Sequence, residues 1–65
     1  MNISKNLTIY MNKLGINSLR QLSLLSGVPY STLKDIQHDR NTDIKLSTAI
    51  KLAKTLNVSL EELIK

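Results

Sequence analysis

The sequence predicts an all-α chain of five short helices, and three observations carry that expectation. Gly15, Gly27 and Pro29 are its only glycines and proline, so few positions interrupt a helix. Between them apolar residues recur three and four positions apart, with none of the period-two alternation of a half-buried strand. Hydroxyl and amide residues stand where the helical stripes begin or end.

Taken in order, Ile3, Leu7, Tyr10 or Met11, and Leu14 form a stripe that predicts a first helix over 3–14, closed by Gly15. Ile9 lies off that stripe, either exposed or set against a neighbouring molecule. The second helix should run over about 18–26. Ser18 followed by Gln21 reads as a capping box, with Asn17 as the competing cap. Leu19, Leu22 and Leu25 would face inward, and Gly27 stops the helix. Pro29 suits the first turn of a third helix, where its missing N–H is no loss. Leu33 and Ile36 give that helix its buried side, and it should end near Gln37 or His38. Residues 38–43 are polar and turn-prone. Leu46, Ala49, Ile50, Ala53 and Leu56 predict a fourth helix over 46–56, ended by Asn57 in a left-handed conformation. Ser59 with Glu62 is a second capping box, opening a fifth helix that carries Leu60, Leu63 and Ile64 inward.

Length and composition narrow the function. With 65 residues the chain is read as one domain, 1–65, with no repeat, linker or low-complexity segment along it. A domain of this size buries only about 60% of the surface its unfolded chain exposes. It has no cysteine to form a disulfide or a thiolate metal site, and His38 is its single histidine. No cofactor or metal is expected. An enzyme acting on a small-molecule substrate is not expected either, since so short a chain can hardly wrap a pocket. No apolar run approaches the roughly 18 residues of a membrane span. Met-Asn-Ile-Ser-Lys is unlike a signal peptide, so a soluble, cytoplasmic protein is the expectation. The formal net charge is +4. Residues 1–60 hold eight of the nine basic residues against three aspartates, a balance of +5, whereas two glutamates and Lys65 give residues 61–65 a balance of −1. That division suits phosphate binding at one side and self-association at the other.

The informative segment is residues 18–37. Two helices are joined there through Gly27-Val28, a connection too short to lay them antiparallel. They must cross steeply, and glycine permits the positive φ that such a corner needs. Close crossing also favours a small residue on the second helix, and Ser23 stands four positions before Gly27. Val28 would plug the turn, with Leu33 and Ile36 beneath. This is the pattern of a helix-turn-helix, whose second member enters the major groove of DNA.

At this point the chain resembles a known family. Ser18-Leu-Arg-Gln-Leu22-Ser23, Gly27-Val-Pro-Tyr-Ser-Thr-Leu33, and Leu46 with Leu52-Ala-Lys-Thr-Leu-Asn-Val-Ser-Leu-Glu-Glu-Leu63 are similar to the lambda repressor-like, Cro/C1-type (Xre) DNA-binding domain. The resemblance covers nearly the whole chain and rests on the order and spacing of these pieces. It implies a five-helix domain that binds double-stranded operator DNA, usually as a homodimer, to regulate transcription. There are departures. The family usually has alanine where Ser23 stands, a polar residue touching phosphate where Leu19 stands, and often glycine where this chain has His38-Asp39. The loop to Leu46 is about one residue longer than the family's usual one.

If Leu33 and Ile36 point inward, Tyr30, Ser31, Lys34 and Gln37 point outward, with Pro29, Thr32 and Asp35 at the edges. The resemblance places base readout on Tyr30, Ser31, Lys34 and Asp35. Lys34 has the donors for guanine O6 or N7, and Asp35 an acceptor for cytosine N4. The competing reading packs Tyr30 over the core and pairs Asp35 with Lys34. Phosphate contacts are expected at Ser18, where helix N–H groups assist, and at Thr32, Arg40, Asn41 and Lys45. Plain solvated charge is the rival reading for Lys45, and the expected one for Lys13, Arg20, Lys51 and Lys54. Leu60, Leu63 and Ile64 either close the core against the first helix or leave surface for a two-fold partner, and a half-buried stripe does both. The leading reading is a sequence-specific repressor that binds a palindromic operator as a dimer. The alternative, kept open by Leu19 and Asp35, is a helix-turn-helix used for protein interaction, such as an antitoxin or a phage-encoded inhibitor of a host factor. Asn, Ile and Lys usage hints at a bacterial or phage genome.

Overall fold

The computed structural model describes residues 3–38 and 44–65, and among them every regular element is a helix. The elements are α1 (Ile3–Lys13), α2 (Leu19–Ser26), α3 (Tyr30–Gln37), α4 (Leu46–Leu56) and α5 (Leu60–Ile64). Their main contacts form a closed ring: α1 packs on α3 and α5, α2 on α3 and α4, and α4 on α5. Each helix contributes at least one side chain with almost no remaining exposure: Leu7, Leu22, Leu33 and Ile36, Leu52, and Leu63. Burying one such side chain is worth about 1.5–3 kcal/mol, so this small set dominates the stability of so short a chain.

The stripes read from the sequence hold in register but not at every edge. Ile3, Leu7 and Met11 are buried on α1, whereas Leu14 is exposed. The cause is Gly15, which takes φ +72° and reverses the chain. Ile16 then donates its N–H to the Met11 carbonyl at 2.9 Å and reaches the core in place of Leu14. Leu25, expected inside, is 59% exposed. Ser26, four positions after Leu22, is half-buried, with its hydroxyl donating to the Leu22 carbonyl at 2.7 Å. On α4 the buried set is Ala49, Leu52, Ala53 and Leu56. Leu46 at the helix start is 65% exposed and Ile50 is also exposed, because Leu52 rather than Ile50 completes the stripe. Pro29 precedes α3 rather than lying in its first turn, and its carbonyl accepts the first helical hydrogen bond from Leu33 N–H at 3.1 Å.

The caps behave as local chemistry dictates. Ser18 prevails over Asn17 as the cap of α2, its Oγ accepting the Gln21 N–H at 3.1 Å. Gln21 Oε1 reaches back one residue further than a regular capping box, accepting from Asn17 N–H at 3.1 Å. Ser59 and Glu62 form the full reciprocal box at α5. Asn57 ends α4 at φ 59°, and Val58 N–H then bonds the Ala53 carbonyl at 3.0 Å. α1 also fastens two other helix ends: Ser4 Oγ donates to Gln37 O at 2.8 Å, and Asn6 Nδ2 to Leu63 O at 2.9 Å. Both acceptors are C-terminal carbonyls with no intrahelical partner of their own.

Two measurements follow. Leu22→Ala should cost about 2–5 kcal/mol in urea unfolding, because it empties a fully buried site. Gly27→Ala should cost only about 1–2 kcal/mol, since an added Cβ would meet nothing within 4 Å and the penalty is that of positive φ alone. A larger loss for Gly27→Ala than for Leu22→Ala contradicts this ordering. The second measurement concerns acid. The Ser59 backbone N–H, then its hydroxyl, holds the Glu62 carboxyl below its ordinary value of 4.5. A depressed folded pKa gives stability that is present above the unfolded value and lost as pH falls through the folded one. Glu62→Gln, which keeps an acceptor without a charge, should therefore lose less stability than the parent between neutral pH and pH about 3; an identical acid profile removes Glu62 from that loss.

Candidate nucleic-acid interface

The α2–α3 corner decides which residues face outward. Gly27 adopts φ 77°, ψ 8°, and its N–H closes α2 on the Ser23 carbonyl at 2.9 Å. Ser23 Oγ then donates to the Val28 carbonyl at 2.6 Å, across the turn. From the other side, Val28 N–H donates to Ser26 Oγ at 3.2 Å. Val28 itself is buried, as its plugging role requires. Two serines on successive turns of α2 thus satisfy backbone groups that a tight corner would otherwise orphan. The hydroxyl at Ser23 does more than fit a small space, which the sequence reading had not foreseen.

With the corner set, Leu33 and Ile36 turn into the core and the opposite side of α3 turns out. Tyr30 and Ser31 are exposed; Thr32, Lys34, Asp35 and Gln37 are half-buried. Tyr30 keeps 40% of its surface, and its ring carries cations rather than lying over the core. Lys34 Nζ is 5.8 Å from the ring centroid and Arg20 Cζ, from α2, is 5.4 Å away. Each such contact is worth about 0.5–1 kcal/mol at an exposed site. The structure therefore brings Tyr30, Ser31 and Lys34 to one outer surface and adds Arg20, which sequence reasoning had left as ordinary surface. The signal for Arg20 was absent from α3's own pattern, because the contact joins two helices.

Beside this cluster lies a shallow groove lined by Arg20, Ser23, Leu24 and Tyr30. Leu24 is 87% exposed, the most exposed large hydrophobic side chain among the described residues. Ser18 is exposed at the start of α2, and Lys45 is exposed immediately before α4. Arg40 and Asn41 lie outside the described residues. Leu19 is half-buried and packs against the core, so it offers no polar group outward. α3 ends at His38 with φ −91°, so no left-handed residue is needed at that position. Of Leu60, Leu63 and Ile64, Leu63 has no exposed surface and closes the core, while Leu60 and Ile64 each keep part of theirs.

The family model of the Cro/C1-type HTH DNA-binding domain matches residues 6–65. No curated protein and no solved structure matches the chain.

The corner makes a specific prediction. Ser23→Ala keeps the space and loses one hydrogen bond, so it should cost about 1 kcal/mol in chemical unfolding. Ser23→Leu adds bulk where α3 presses on α2 and should cost more, about 1–3 kcal/mol, with shifted amide resonances for residues 23–33. Leucine tolerated as well as alanine would show that Ser23 does not set the crossing.

Proposed function

The chain belongs to the Cro/C1-type helix-turn-helix DNA-binding family, and from that premise we propose that it is a sequence-specific repressor that binds a palindromic operator as a homodimer. It acts as one domain in the cytoplasm of a bacterial or phage-infected cell, and represses by occupying a promoter. The observation that carries this reading is the outward face of α3, where Tyr30, Ser31 and Lys34 are presented together at the outer side of a rigid corner. Residues early in such a helix reach base edges. In this reading Lys34 donates to a guanine edge, Ser31 bonds a neighbouring base, Tyr30 lays its ring against a thymine methyl, and Asp35 accepts from a cytosine amine. Ser18, Thr32, Arg40, Asn41 and Lys45 hold phosphates on either side. Leu60 and Ile64 supply the apolar surface of a two-fold partner, with Leu63 behind them in the core. Half-sites would then lie about 34 Å apart, one helical turn of the duplex.

A second reading is favoured by one observation: Leu24 and Leu25 are both exposed on α2, beyond what phosphate contact uses. In that reading the same domain serves as an interaction module for another protein. The two readings separate on one series of measurements. Sites selected from random duplex DNA should share a symmetric motif, and retention should fall steeply with salt. Lys34→Ala should weaken binding to the selected site by about 1–3 kcal/mol and relax preference at one base position. Affinity of Lys34→Ala unchanged from the parent on every sequence would reject Lys34 as a reader, and a chain that ignores DNA but binds a protein tightly would replace the repressor reading with the second one.

A further inference from the structure

We infer that Arg20 is a phosphate-contacting residue of the duplex interface, held in place by the ring of Tyr30. The inference rests on the DNA-binding reading above and adds a contact which that reading does not contain. Arg20 is exposed, so its guanidinium is available to solvent and to a ligand. It sits over Tyr30 at 5.4 Å from the ring centroid. Tyr30 and Lys34 are four positions apart on α3 and share one face, with Lys34 Nζ 5.8 Å from the same ring. Two cations from two helices therefore converge on one aromatic side chain at the start of the outward helix. Like charges repel, so a ring that draws both cations toward it concentrates positive potential at this spot, where an anion relieves the repulsion.

The chemistry of the two cations divides their roles. A guanidinium held over a ring by cation–π attraction keeps N–H groups free, and that planar fork matches two phosphate oxygens. The contact also restricts the side chain before binding, which lowers the entropy lost on contact. Lys34 extends from α3 itself, whose residues reach the base edges, whereas Arg20 extends from α2 at the flank of that helix. The groove between Arg20, Ser23, Leu24 and Tyr30 supplies the room for a sugar-phosphate strand beside them. Leu19, one position earlier, is turned to the core and contributes nothing polar. Tyr30 is a positioning residue for Arg20 in addition to any contact of its own.

The test compares the parent chain with Arg20→Ala, Arg20→Lys and Lys54→Ala on one selected duplex and one unrelated duplex across a salt series. Lys54 is exposed on α4, so its alanine variant measures the loss of a surface charge alone. Each phosphate contact contributes about 0.9 to the slope of log affinity against log salt. Arg20→Ala should lower that slope by about 0.9 and weaken binding about eightfold at roughly 0.1 M salt, equally on both duplexes. Arg20→Lys should restore most of the slope but not all of the affinity, because lysine lacks the bidentate fork. An Arg20→Ala variant that behaves like Lys54→Ala overturns the contact, and so does a loss confined to the selected duplex, which is the mark of base readout. A parent chain without salt-dependent binding overturns the DNA-binding reading together with this one, and is distinct from either result.

Discussion

The left-handed backbone at Gly27 is the constraint on which the outward face depends. It allows α2 to stop and α3 to start within three residues, and it fixes the direction in which α3 leaves. Positive φ by itself leaves the angle loose. The hydrogen bond from Ser23 to the Val28 carbonyl and the burial of Val28 make it definite. With that corner in place, Leu33 and Ile36 can reach the core only by turning Tyr30, Ser31 and Lys34 toward solvent. That outward face is a consequence of where the core residues must go.

The same device recurs at other corners. A left-handed residue is followed by an aliphatic side chain that enters or touches the core: Gly15 by Ile16, Gly27 by Val28, Asn57 by Val58. Each of these three helix ends thus feeds packing as well as satisfying its own carbonyls. Helices of five to eleven residues are marginal in isolation, so their order comes from one another. α1 contributes through Ser4 and Asn6, which tie the C-terminal ends of α3 and α5 to the first helix. The elements that present the outer surface are held from behind, and that surface remains free to carry polar and charged groups with little role in stability.

On the outer surface the electrostatics are local rather than diffuse. A net charge of +4 is modest, but Arg20 and Lys34 place two cations around one ring. Two cations around one ring lie inside the roughly 10 Å over which salt at 0.1 M leaves a charge unscreened. The acidic residues Glu61 and Glu62 are placed elsewhere, in the first turn of α5, where the helix dipole and the capping box favour negative charge.

The number, order and approximate bounds of the helices, the corner at Gly27, the capping roles of Ser18 and Ser59, and family membership were all legible in the sequence. Each depends on residues close together along the chain, and short-range chemistry leaves a short-range pattern. The edges of the buried stripes were not legible in the same way. Leu14, Leu25, Leu46 and Ile50 have the hydrophobicity of core residues, yet they are exposed, while Ile16 and Leu52 reach the interior from better positions. Nor did the sequence disclose that Arg20 would meet Tyr30, or that Ser4 and Asn6 would hold distant helix ends. Those contacts join residues brought together by helix packing, and packing is settled by which side chains compete for the same volume, a question that no single stretch of chain can answer.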